Sequence, residues 1–304
     1  MKSTSLLFLA LLLSTPLAPG DTPAEVAAAY SRTVLLPLVK SPGQDKNLFK
    51  KFKMVEDSPW NPNCWAASLG FDQFTGIGWG TDRAGVLVTP EHVLSAAHYG
   101  NNSVEGMHFY DKDGHYLGHR ALAIGKDKLV LLLNLPNDVR VGRLESPAPA
   151  GAKIYALPDP KSADLRTSWV NLPPEQLPLL LATDWRDPIP KKNPADPEEP
   201  QQWISTRSVH PVRLRSANSL SLSWTYGPNG EPAVDSSYHG IVNLGDSSHP
   251  LFWVTKSGLV LASTFSSTSA GPNYGSPDIQ QSIQDAIDKL GGSKKYTLKT
   301  APVP

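Results

Sequence analysis

Between Thr75 and Leu133 the chain is cut into short apolar runs by glycine, asparagine, aspartate and proline, and few architectures accept that pattern. Thr75 to Gly80, Ala84 to Thr89, His92 to Ala96, Gly106 to Tyr110, Leu117 to Ile124 and Leu129 to Leu133 are strand-length and too short for stable helices. Asp111-Lys112-Asp113-Gly114 reads as a hairpin turn between two of them. Short strands joined by tight turns predict one small antiparallel barrel. Strand-like runs return at Val209 to Leu214, Ser219 to Trp224, Leu251 to Thr255 and Leu259 to Phe265, with Lys256-Ser257-Gly258 turning the last pair. The period then changes. Pro277-Asp278 opens a helix that is apolar at Ile279, Ile283, Ile287 and Leu290 and is stopped by Gly291-Gly292. The fold class expected is all-β, two antiparallel β-barrels followed by a C-terminal α-helix.

The composition agrees: 29 prolines and 23 glycines in 304 residues favour β-structure with long connections over a helical bundle. The expected organisation has residues 1–20 as a signal peptide and 21–62 as an N-terminal leader. The folded domain is expected at 63–290, with a first barrel at about 65–155, a proline-rich connection at 158–202 and a second barrel at about 203–275. The helix follows at 277–290 and a tail at 291–304. Lys2, the apolar run Leu6 to Leu13 and the small residues Ala18-Pro19-Gly20 carry the signal-peptide reading, which predicts a secreted or periplasmic protein. No run is long enough for a membrane span. The 28 basic and 28 acidic residues balance, so there is no electrostatic footprint for nucleic acid. Cys64 is the only cysteine, which excludes an intrachain disulfide, and its aromatic setting reads as buried and structural.

Three segments carry chemistry. Leu94-Ser95-Ala96-Ala97-His98 ends a strand on a histidine, and Gly245-Asp246-Ser247-Ser248-His249-Pro250-Leu251 presents a serine in a glycine turn. Between them lies Gly125-Lys126-Asp127-Lys128-Leu129-Val130-Leu131-Leu132. The first resembles the LTAAHC signature of chymotrypsin-like (trypsin-like) serine proteases, the second their GDSGGPL, and the third their aspartate-bearing DIALL strand. The resemblance covers residues 65 to 290 and is closer to bacterial, disulfide-free exported members than to digestive enzymes. It implies two six-stranded barrels with the active site between them. The implied activity is that of a serine endopeptidase or esterase acting on a protein or peptide substrate through an acyl-enzyme, with no cofactor and no metal.

The resemblance assigns the nucleophile to Ser247, the general base to His98 and the orienting carboxylate to Asp127. A serine hydroxyl needs an imidazole to take its proton, and the imidazole needs a carboxylate to hold its tautomer. Lys128 competes with Asp127 for the aspartate position, and Asp138 and Asp111 are alternatives. The oxyanion donors would be the backbone N–H groups of Gly245 and Ser247. Family analogy places the base of the primary pocket at Ile241, whose apolar side chain disfavours Lys or Arg substrates, and the pocket wall at Ser266, Ser267 and Thr268. Ser248 and His249 depart from the glycine pair of the family, and His249 reads as a surface residue rather than a substrate contact. No activating cleavage sequence stands before Trp65.

Two weaker constellations remain. His108, His115 and His119 share a hairpin and read as solvent-facing rather than as metal ligands. Asn101-Asn102-Ser103 is a glycosylation sequon. A second function class also stands: a catalytically inactive, protease-like binding or scaffold protein.

Overall fold

The computed structural model describes residues 45–80, 83–98, 106–161, 177–191, 202–225, 247–267 and 269–303, with Thr33 and Asn171. The signal-peptide segment, the leader up to 44 apart from Thr33, the sequon, Ile241, Gly245, Asp246 and Thr268 lie outside the described residues.

The protein is mostly β. Seven strands, β1 (Ile77–Trp79), β2 (Ala84–Thr89), β3 (His92–Ala96), β4 (Met107–Tyr110), β5 (Tyr116–Arg120), β6 (Leu132–Leu135) and β7 (Val139–Arg143), form one antiparallel sheet in the order β5-β4-β1-β2-β3-β7-β6. β2 is buried along its whole length, which is why it reads as a continuous apolar run rather than an alternating one. Its residues nonetheless divide by face. Val86 and Val88 join the large central core, while Leu87 closes on Val93, Phe109, Leu122 and Leu144.

The second sheet contains β9 (Leu179–Lys191), β10 (Gln202–Ala217), β11 (Ser221–Thr225), β12 (Pro250–Thr255), β13 (Gly258–Thr264) and β14 (Ala270–Pro272), in the order β13-β12-β9-β10-β11-β14. It divides in the same way. Leu180, Val212, Leu214, Trp224, Leu251 and Trp253 pack on one another, while Leu181, Val209, Phe252, Val254 and Leu261 face the central core shared with the first sheet. A two-stranded pair joins β8 (Leu157–Pro158) in parallel to β15 (Thr300–Ala301).

Four expectations are corrected here. β9 lies inside the stretch expected to be connection, so the second sheet begins at Leu179 rather than near 203. β7 had no counterpart among the strands read from sequence, and residues 121–131 make isolated bridges (Leu122 with Leu144, Ile124 with Val130) instead of two full strands. The leader is structural from Asp45 onward: Leu48, Phe49, Phe52 and Trp60 are buried, and Phe49 stacks on Trp60 at 4.1 Å between centroids. Residues 291–303 are likewise tied down, with Tyr296 and Val303 buried. Cys64 is buried as expected, and burial pushes its thiol up to about 12, which makes it inert.

The helix α1 (Pro277–Leu290) spans the residues its periodicity predicts. Pro277 sits in its first turn, Asp278 complements the N-terminal end, and Gly291 at φ 67° ends it with an N–H donated to the Ile287 carbonyl. Ile279, Ile283, Ala286 and Ile287 face inward. They rest on β6 and β7 of the first sheet. Among the described residues no helix is long and apolar enough to cross a membrane.

Glu91, at the start of β3, clamps the segment after this helix. Its carboxylate accepts hydrogen bonds from the Ser293 N–H (2.9 Å), the Ser293 hydroxyl and the Tyr296 hydroxyl (2.9 Å), with Arg143 Nε 3.9 Å away. Burial alone would raise its pKa. The hydrogen bonds from Ser293 and Tyr296 and the charge of Arg143 outweigh burial and hold it below the ordinary 4.5. A depressed carboxyl stabilises the fold fully above its unfolded value, and that stabilisation is lost as pH falls through the folded value. Glu91→Gln should therefore cost about 1–3 kcal/mol at neutral pH. Thermal melts should show the difference from wild type shrinking below roughly pH 4, and a gap that persists at pH 3 would disprove the charge-based account.

Candidate active site

β3 ends at Ala96 and delivers His98 to a turn of the neighbouring hairpin. β3 and β7 pair in antiparallel register, Ser95 opposite Arg140 and Ala96 opposite Val139, and the pairing is continued by the Ala97 N–H to the Asp138 carbonyl at 3.0 Å. Asp138 precedes β7 and closes the β6–β7 hairpin. Asn137 and Asp138 both occupy the left-handed region, at φ 61° and 62°, where Asn and Asp are the side chains best tolerated. That backbone aims the carboxylate back at His98. Oδ1 accepts the His98 backbone N–H at 2.7 Å, and Oδ2 lies 2.7 Å from His98 Nδ1.

An ionised carboxylate only accepts, so Nδ1 carries the proton in this pair. In the neutral ring Nε2 then holds the basic lone pair. The His98 side chain is 43 % exposed and Asp138 23 %, so the imidazole is reachable from solvent while its carboxylate is largely covered. Arg140 braces the backbone beside them, donating through Nη2 to the Ala97 carbonyl and through Nε to Asn134 Oδ1, each at 2.9 Å.

Asp127 has no part in this. It caps the tight turn Gly125–Leu129, its Oδ1 accepting the Leu129 N–H at 3.2 Å, with Lys128 at φ 63° beside it. The carboxylate bonded to His98 is thus Asp138, one of the alternatives open at the sequence level, and not Asp127. The leucine run after Asp127 favours that residue in the sequence, but it lies one strand earlier than the turn that reaches His98. The usable signal was Asn137-Asp138 ahead of Val139-Arg140-Val141, a left-handed turn pair leading into an alternating strand.

The serine turn reaches the same place from the second sheet. Ser247 is half-buried, Ser248 is buried at φ 79°, and β12 begins at Pro250. The turn is held to the end of β13 by the Ser248 N–H to the Phe265 carbonyl (2.9 Å) and the Phe265 N–H to the His249 carbonyl (3.0 Å). It is held to the first sheet by the Ala96 N–H, which donates to Ser248 Oγ at 2.8 Å. Ser247 adjoins the residue making that bond, and His98 lies two residues beyond Ala96. The two candidate catalytic residues therefore flank one seam between the sheets.

The remaining predicted site residues are placed unevenly. Ser266 follows β13, half-buried with its Oγ closed off from solvent, and Ser267 is exposed; the N–H groups of both donate to the Ala270 carbonyl, at 3.1 and 3.0 Å. Gly245, Ile241 and Thr268 are outside the described residues. His249 is not a surface residue. It is fully buried beside Trp79, ring centroids 5.9 Å apart, and burial reinforced by the nearby charge of Arg207 pushes its pKa down to about 3, which keeps it neutral.

The hairpin histidines do not converge as a trio. His108 faces His119 across the strands and contacts the Tyr116 hydroxyl at 3.0 Å, whereas His115 turns to Asp111 at 3.1 Å. Asp111, Asp113 and His115 bring their ligand atoms within 4.8 Å of one another. Asp111, however, is already engaged by the Asp113 and His115 backbone N–H groups and the His115 ring. Against known proteins, no family model and no curated protein matches the chain.

Proposed function

We propose that the protein is an exported serine endopeptidase of the chymotrypsin-like kind, its seven-stranded and six-stranded sheets forming the two barrels, with the active site in the seam between them. The observation that carries this reading is the His98–Asp138 pair, two bonds of 2.7 Å at the end of β3, set beside the Ser247 turn. Ser247 Oγ attacks the peptide carbonyl and its proton passes to His98 Nε2, while Asp138 holds the Nδ1 proton and stabilises the imidazolium. The oxyanion is met by the backbone N–H groups of Gly245 and Ser247. Collapse expels the amine with the proton from His98, and water, activated by the same imidazole, releases the acid.

A fluorophosphonate probe tests this directly. Wild-type protein should be labelled on Ser247, and Ser247→Ala or His98→Ala should abolish labelling. Folded wild-type protein that takes up no label would favour the second reading, a protease-like binding protein. That reading draws on Ser248 and His249, which stand where the family carries two glycines.

A further inference from the structure

Ser248 is in a conformation that a serine has little reason to occupy. At φ 79° a residue with a Cβ is strained, and such strain persists where surrounding contacts over-determine the backbone. The contact here is specific. The Ala96 N–H points away from β7, since it is the next N–H along, that of Ala97, that continues the pairing with Asp138. On its other side the register pairs with β2 stop at Leu94, two residues short of Ala96. A buried N–H in that position needs an acceptor, and Ser248 Oγ is the acceptor, itself buried, from the other sheet.

We propose that Ser248 is a positioning residue: its hydroxyl sets the separation between the Ser247 turn and the His98–Asp138 pair by tying the end of β3 to the nucleophile turn. The proposal rests on the serine-hydrolase reading above. Glycine, which the backbone conformation favours, would leave that separation unfixed; serine accepts the strain and supplies the tie. The hydroxyl is not a second nucleophile, because it is buried and occupied.

Two variants separate positioning from ordinary structural support. Ser248→Gly removes the hydroxyl and relieves the left-handed strain, whereas Ser248→Ala removes the hydroxyl and keeps the strain. The rate of fluorophosphonate labelling should fall in both by a similar factor, on the order of tenfold for a small misplacement of reacting groups. Thermal stability should rank differently, with Ser248→Gly near wild type and Ser248→Ala clearly below it. In both, hydrogen exchange at the Ala96 amide should accelerate.

Labelling that follows stability, near wild type in Ser248→Gly and slow in Ser248→Ala, would overturn the proposal, as would unchanged exchange at Ala96. If wild-type protein itself is not labelled while the Ser247→Ala control and wild type melt alike, the hydrolase reading fails, and this inference with it. A labelled wild type with a normally labelled Ser248→Gly sinks the inference alone.

Discussion

Asp138→Asn should lower peptide or ester hydrolysis by about 10⁴-fold at neutral pH, the scale on which a triad loses activity when its imidazole holds the wrong tautomer. The Asn amide can present an N–H toward His98 Nδ1, which then accepts, and the proton moves to Nε2. In the proposed mechanism Nε2 is the atom that receives the Ser247 proton, so the change would disable the base without displacing it. The backbone bond from His98 N–H to the side-chain oxygen at position 138 survives the change, and the fold should too.

Asp127→Asn makes the matched control. That carboxylate caps its own turn through the Leu129 N–H, and an Asn side chain can still accept the same bond. Activity within about twofold of wild type is the expected result, with kcat and KM both unmoved. A large loss in Asp127→Asn with full activity in Asp138→Asn would reverse the assignment of the carboxylate. The comparison is a hydrolysis assay on two variants of equal charge change, so electrostatics at long range cancel.

The legibility of these elements from sequence follows from how local their determinants are. The helix at Pro277–Leu290 carries its own period, its own opening proline and its own terminal glycine, and nothing distant is needed to find it. His98 and Ser247 each belong to a short motif visible in the sequence, and the structure adds that the Ala96–Ser248 bond brings the two motifs to one seam. The partner carboxylate was not, because its identity depends on which strand lies beside β3. That neighbour is β7, and a leucine-rich segment nearer in sequence competed for the role.

β9 was hidden by Pro188 and Pro190, which read as punctuation although the strand runs through them. The buried state of His249 was hidden as well. A polar residue after a glycine turn reads as exposed, and only the burial of the ring beside Trp79 shows otherwise. Long-range pairing, not local propensity, decides each of these three cases.

The same reasoning bears on the N-terminal segment, where the second large effect is expected. Trp65 is fully buried and its Nε1 donates to the Val209 carbonyl at 2.9 Å, tying the segment that precedes the first sheet to β10 of the second. Around it the Asp45–Cys64 bridge, the Asn47–Ser208 bridge and the Arg207 guanidinium, 4.2 Å over the Phe52 ring, make residues 45–65 a shared wall of both sheets. Trp65→Ala should cost about 3–5 kcal/mol, since it removes a large buried side chain and leaves a cavity between elements that cannot easily collapse. Trp65→Phe keeps most of the volume but orphans the Val209 carbonyl, at about 1–3 kcal/mol. Denaturant melts should therefore order the proteins wild type, Phe, Ala.

A chain that begins at Trp65 should lose the cooperative transition altogether, because Leu48, Phe49, Phe52 and Trp60 leave the core with the segment. This is the opposite of what a cleavable leader predicts, where removal up to the first strand would leave stability unchanged or improved. Retention of a full cooperative melt by the shortened chain would restore the leader reading. The expected loss instead ties the stability of the seam that holds His98 and Ser247 to keeping residues 45–65, so any activating cleavage would have to fall before Asp45.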